Sequence, residues 1–268
     1  RQIPVDPQGI MDVSALESEL KQHAVRLLVV NHVSNVTGAR QPIEKIARLA
    51  KEHGALVLLD AAQSLGHEPI DVRELKIDML ATPGHKGLLG PLGTGLLYVN
   101  QSLHSKLRSI RQGGTGTESE TAAQPEEAPF KYESGNLNMP GIAGLEAGLQ
   151  FVRNEQLEQS NHLLDLTSRL VRALQEERTI AVHSSPNRFG IVSFNLADTP
   201  PTDLAMMLDS MAAIQVRAGF HCAPAMHRAM GTDSCGGSVR VSFGHFSNPS
   251  EVDTLVGALQ AVVANPMV

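Results

Sequence analysis

Two side chains of opposite charge stand beyond apolar runs in the first half of the sequence. Residues 55–59, ALVLL, form a continuous apolar stretch that reads as a buried strand, and Asp60 follows it directly. A second run over 77–81 ends in Thr82, Pro83 and Gly84 and hands on to His85 and Lys86, after which Gly87, Gly90, Gly93 and Gly95 keep the backbone open. Open α/β sheets bind ligands beyond the carboxyl ends of their strands, so this pattern brings a carboxylate and a primary amine to one crevice. An amine so placed can hold an aldehyde cofactor as a Schiff base. A carboxylate beside it can keep a pyridine nitrogen protonated, which turns the ring into an electron sink.

Further groups follow the same logic. Residues 26–30 read as an apolar strand running into NHVSNVTG, which places Asn35 in a polar loop at a strand end, either facing the crevice or closing a turn on its own backbone. Near the carboxyl terminus, VRAGFHCAPAMHRAMGT carries Arg217, His221 and Cys222, and the two basic residues give the thiol a positive setting that favours a thiolate nucleophile. Arg240, in VRVSF, has the planar fork that grips a carboxylate through two hydrogen bonds. Cys235 stands in a Ser–Cys–Gly–Gly loop and reads as incidental, and His67 as structural. His53, His104, His183, His227 and His245 show no metal-ligand spacing, so no metal is expected.

These groups need a scaffold. Residues 1–25 read as a connector and an amphipathic helix capped by Asp12 or Ser14, with Leu16, Leu20 and Val25 on one face. Residues 42–53 read as a helix with Pro42 in its first turn and Gly54 closing it. A polar turn and a short helix are expected between Asp60 and the strand at 77–81, then a strand at 96–99, a helix at 101–111 and a long polar loop over 113–129. Long helices follow from 142 to 177. Strands at 180–183, 190–196, 215–217 and 238–243 with helices at 202–210 and 249–263 then suggest a small α+β layer. The expected architecture is α/β, with a mostly parallel central sheet flanked by helices and joined by right-handed crossovers, plus a smaller α+β carboxyl-terminal domain. The division falls at 1–140 and 141–268.

Length allows one large domain or two smaller ones. A net charge of -6 without a basic run argues against nucleic acid or an anionic membrane as the main partner. No apolar stretch reaches the roughly 20 residues that span a bilayer, and the first residues lack a signal-peptide pattern, so a cytoplasmic location is expected. Two cysteines do not make a disulfide framework.

The segments DAAQSLGHEPIDV, the D-x-L-A-x-x-GHKGLLGP-x-GTG pattern that follows, ESGNLNMPGIAGL, and the R-x-G-x-H-C-A and V-R-x-S elements resemble the class V aminotransferase superfamily of fold-type I. The resemblance is nearest its cysteine desulfurase and selenocysteine lyase-like branch. It implies the PLP-dependent transferase-like fold and pyridoxal 5'-phosphate as cofactor. Lys86 would anchor it, Asp60 pair with its ring nitrogen, Gln63 donate to its phenolic oxygen and His85 contribute to its phosphate site. Asn35 and Arg240, with Arg217 as a lesser candidate, would bind the substrate carboxylate. Cys222 would take sulfur from L-cysteine as a persulfide and leave alanine.

The same resemblance implies a small-molecule amino-acid substrate, a homodimer and a sulfur-acceptor protein. It also implies a sizeable segment ahead of Arg1, including a phosphate-binding turn and a side chain that stacks on the cofactor ring. Two positions depart from the pattern. Pro83 replaces a hydroxyl residue three before the lysine, with Thr82 a shifted substitute, and Asn136 stands where a threonine reaches the neighbouring subunit's phosphate. Alternatives are another class V activity that does not use Cys222, or a folded fragment without activity.

Overall fold

The computed structural model describes residues 1–115, 118 and 120–264. The chain divides into two compact units, one of residues 25–30 and 47–154, the other of residues 1–24, 31–46 and 155–268. That differs from a single cut after residue 140, because the backbone passes between the units several times.

The first unit is built on a four-stranded sheet of β1 (Leu27–Asn31), β2 (Leu56–Asp60), β3 (Met79–Pro83) and β4 (Gly95–Val99), in that order. Strands β2 and β3 run parallel with Asp60 opposite Ala81, and β4 returns antiparallel to β3. Helix α2 (Ile43–Glu52) lies between β1 and β2 in sequence. The buried Asp78 carboxylate, just ahead of β3, accepts from the Val57 amide at 2.7 Å and from the Lys51 ammonium. This ties the start of β3 to β2, and a buried charge so satisfied is destabilising to remove.

Two expected helices are absent. Between β2 and β3 the chain makes turns: Asp71 accepts from the amides of Arg73 and Glu74, and Lys76 takes a left-handed φ of 55°. Gly66 and Pro69 interrupt this stretch and leave no apolar stripe to bury. After β4 only Gln101–Leu103 forms a short 3-10 turn, capped by Asn100, and Ile110 is 98% exposed. With nothing for its apolar side chains to pack on, a short helix there has no tertiary support. Residues 116, 117 and 119 of the long polar loop lie outside the described residues.

The carboxyl-terminal helices expected from 142 onward are one helix, α3 (Met139–Glu176), of 38 residues. In its first turns Gly141, Gly144 and Gly148 form a stripe. A Cβ at Gly148 would meet the Leu88 carbonyl at 2.5 Å and one at Gly144 the Pro91 ring at 2.7 Å, so bare backbone there lets the helix lie against the loop that follows Lys86.

The second unit holds an antiparallel sheet of β5 (Ile180–Val182), β6 (Ile191–Leu196), β8 (Ser238–Ser242) and β7 (Arg217–Gly219), in that order. Its core joins Phe194 and Val239 of the sheet to Leu166, Leu170 and Leu174 of α3, Leu204 and Leu208 of α4 (Pro201–Ala212), and Leu255 and Leu259 of α6 (Pro249–Ala264). Helix α1 (Val13–Gln22) begins at Asp12, whose carboxylate accepts from the amides of Ser14 and Ala15, and α5 (Pro224–Met230) follows β7.

One face of the first unit's sheet stands out. Leu27, Val29 and Leu97 are 44%, 59% and 56% exposed, on the side where Leu56 and Leu58 are half-buried and Asp60 ends its strand. Sheets of this kind ordinarily have both faces covered, and an apolar face of this size binds apolar probes. The chain is expected to enhance the fluorescence of the dye ANS several-fold. Val29→Lys with Leu97→Lys should cut that signal by about half and move the thermal midpoint by less than about 2 °C. An unchanged dye signal would show the face to be covered.

Candidate active site

In the first unit the cofactor candidates gather at one edge of the sheet. Asp60 ends β2, and Gln63 sits in the turn after it, where the amides of Ser64 and Leu65 bond the Ala61 carbonyl. His85 and Lys86 come two and three residues beyond Pro83, the end of the neighbouring parallel strand. Both side chains are exposed. Asp60 accepts from the Ala62 amide at 2.9 Å through Oδ1.

The loop carrying Lys86 is fixed by backbone contacts. A Cβ at Gly87 would lie 2.5 Å from the Leu65 carbonyl, and one at Gly66, where φ is +97°, would lie 2.1 Å from the Gly87 carbonyl. The His67 ring packs on the same glycine, its Nε2 only 3.0 Å from where a Gly87 Cβ would sit. The turn after β2 and the loop after β3 thus meet through two glycines, which is how Asp60, Gln63 and Lys86 come to share an edge. Glycine-rich spacing in the sequence hinted at close approach but not at which backbones meet.

Thr82 does not take the place of the absent hydroxyl. It is buried, and its Oγ1 bonds the carbonyls of Ala61 and Pro83 at 3.4 Å each. Strand alternation also turns it to the face opposite Ala81. The residues present nonetheless fit pyridoxal phosphate: an exposed amine for its aldehyde and a carboxylate for its ring nitrogen, beside a loop whose close backbone contacts no side chain could enter.

In the second unit the sulfur and carboxylate candidates form a connected set. Phe220 to Ala223 make a tight turn closed by the Ala223 amide on the Phe220 carbonyl at 2.8 Å, with His221 at φ 50° and Cys222 at φ 62°. Two successive left-handed non-glycine residues cost on the order of 1 kcal/mol or more each, and neighbours must hold them. Three contacts do so. His221 Nε2 shares a 3.1 Å hydrogen bond with the buried Ser238 hydroxyl, the Asn35 amide Nδ2 donates to the His221 carbonyl at 2.6 Å, and Arg217 Nη2 donates to Cys222 Sγ at 3.0 Å. Cys222 itself is exposed.

Asn35 has a second use. Its backbone carbonyl accepts from Arg240 Nη1 at 3.0 Å, while Arg240 Nε donates to Ser242 Oγ at 3.1 Å. The same loop is pinned by the Ser193 hydroxyl, which donates to the Val36 carbonyl at 2.5 Å. One asparagine therefore touches both the candidate carboxylate-binding arginine and the thiol-bearing turn.

The charge at the thiol differs in origin from that expected. Burial, then the charges of Arg240, His227 and Arg217, push His221 down to about 4, so it is neutral at pH 7. Among the described residues, the positive charge in contact with the sulfur is the Arg217 guanidinium. Burial and the Arg217 charge also push the Arg240 guanidinium below its ordinary value, with Cys222 opposing.

Beneath the turn lies a polar layer that spacing did not reveal. The His227 and His221 rings are 5.4 Å apart, His227 Nδ1 bonds the Thr232 hydroxyl at 2.8 Å, and His183 Nε2 bonds Asn195 at 2.8 Å. The only local signal for it is polar residues at strand positions that alternate with Val192 and Phe194, which are buried.

Residues 1–255 match the family described as aminotransferase class-V. A probable cysteine desulfurase of Methanothermobacter thermautotrophicus is 37% identical over 262 residues, covering 96% of this chain and 65% of its own. A cysteine desulfurase of Escherichia coli O157:H7 is 33% identical, covering 98% of this chain and 64% of its own. The chain thus spans just under two thirds of the length of these relatives. The apo structure of a cysteine desulfurase from Thermococcus onnurineus NA1 superposes with a TM-score of 0.90 at 32% identity, covering 98% of this chain and 66% of that one.

Proposed function

Because the chain belongs to the class-V aminotransferase family, we propose that its site serves the pyridoxal phosphate-dependent desulfuration of L-cysteine or a close analogue such as selenocysteine. The observation that carries this reading is the exposed Cys222 thiol, held on a strained turn with a guanidinium on its sulfur and a second arginine on the adjacent strand. A family member that needed only Lys86 and Asp60 would have no use for that arrangement.

Bound pyridoxal phosphate supplies an electron sink for charge developing at the substrate Cα. Lys86 would hold the cofactor through its amine, and the same amine, when free, would move the substrate's α-proton. Asp60 would hold the ring nitrogen, Gln63 the phenolic oxygen, and His85 the phosphate. Arg240, oriented by Asn35 and Ser242, receives the substrate carboxylate, and the second hydrogen on Asn35 Nδ2 assists. Cys222 then attacks the substrate sulfur: an S–S bond forms as the Cβ–S bond breaks, the electron pair stays with carbon, and a proton completes alanine.

This reading divides the roles near residue 140, with cofactor groups before it and sulfur groups after it, Asn35 being the exception. It extends to a cytoplasmic homodimer that passes its sulfur to an acceptor protein. The test uses the chain with pyridoxal phosphate and borohydride. Reduction is expected to fix the cofactor mass on the peptide containing Lys86, and Lys86→Ala to abolish that label. Label spread over other lysines, with none on Lys86, would overturn the site.

A further inference from the structure

Strands β7 and β8 place Arg217 directly opposite Arg240. Like charges facing each other across an antiparallel pair are destabilising, and no carboxylate among the described residues forms a salt bridge with either. A fold that keeps such a pair has negative charge for it to receive. The two guanidiniums are nevertheless committed differently. Arg240 is half-buried and locked by two contacts, Nη1 on the Asn35 carbonyl and Nε on Ser242 Oγ. Arg217 is exposed, and its one polar partner among the described residues is Cys222 Sγ, at 3.0 Å.

We propose that the pair divides its work: Arg217 serves the sulfur of Cys222, holding negative charge on it, and Arg240 alone serves the substrate carboxylate. This rests on the desulfurase reading for the identity of the carboxylate, but the Arg217 half stands on the contact itself. It also removes Arg217 from the substrate ligands. The strained turn acquires a purpose, since it sets Sγ within reach of a side chain five residues earlier. Asn35 is the positioning residue for both halves, because it holds the turn by its amide and Arg240 by its carbonyl.

The test reads the thiol directly and needs neither cofactor nor turnover, so it fails or succeeds independently of the desulfurase reading. In a Cys235→Ser background Cys222 is the sole thiol, and its alkylation by iodoacetamide at pH 7 is followed by mass spectrometry. Arg217→Gln is expected to slow alkylation by about fivefold or more, Arg217→Lys to recover a good part of the rate by restoring the charge, and Arg240→Gln to change it by less than about twofold. Arg217 is exposed, so its replacement leaves the core alone, and circular dichroism checks that the fold persists. An unchanged rate in Arg217→Gln would overturn the proposal. So would equal slowing in Arg217→Gln and Arg240→Gln, which would make the thiol's partner the field of the pair and not the contact.

Discussion

Sulfur release from L-cysteine by the Cys222→Ala variant of the pyridoxal phosphate-loaded protein is expected to fall by roughly 10³-fold or more, the scale on which covalent catalysis fails without its nucleophile. Cofactor attachment at Lys86 should be untouched. The two expectations separate because the groups lie in different units: Asp60, Gln63 and Lys86 occupy one sheet edge, and Cys222 belongs to the turn between β7 and α5. Alanine in place of Cys222 removes an exposed sulfur and no core contact. It leaves the Asn35–His221 and His221–Ser238 bonds with their partners. The variant should therefore fold, take up the cofactor and bind substrate while failing at the step in which sulfur leaves carbon. Sulfide or persulfide assays beside the borohydride label measure the two properties on one sample. Retention of more than about a tenth of the activity would favour a class V reaction that bypasses the thiol.

Much of this site was legible in the sequence for a local reason. A buried strand announces itself as an apolar run, and the residues soon after it lie at the sheet edge, so Asp60, Lys86 and Asn35 stand out as candidates by adjacency. Cys222, Arg217 and Arg240 stand out as candidates through the segments around them. Longer-range relations were not visible. Asn35 reaches His221 over 186 positions and Arg240 over 205, and no spacing rule links residues so far apart. Nor does composition show that His221 is buried and neutral, which changes the source of positive charge at the thiol. The missing helices at 61–76 and 101–111 share one cause: local periodicity was read as helix where the fold offers no surface to bury it, and capping side chains close turns instead.

Acid should unfold the second unit well before its carboxylates titrate. His32 and His221 are both buried, and each is pushed from the ordinary 6.5 down to about 4. For His32 the causes are burial and then the Arg40 charge, opposed by Glu44. For His221 they are burial and then Arg240, His227 and Arg217. His183 and His227, in the same layer, are lowered as well, chiefly by burial. In the unfolded chain the His32 and His221 rings take up a proton near pH 6.5, whereas in the folded chain they stay neutral until about pH 4. The unfolded state binds more protons in that window, so stability rises with pH across it. The contribution is complete above about 6.5 and is lost as pH falls toward 4. Each of these two rings accounts for up to roughly 3 kcal/mol, since every tenfold loss of proton affinity on folding is worth about 1.4 kcal/mol. Denaturant midpoints at pH 7, 5.5 and 4.5 should therefore fall steeply, and His32→Gln should flatten the slope by removing one of these four lowered rings. Constant stability between pH 7 and 5 would mean that these imidazoles are protonated in the folded state. The positive charge around Cys222 would then include His221 as well as Arg217.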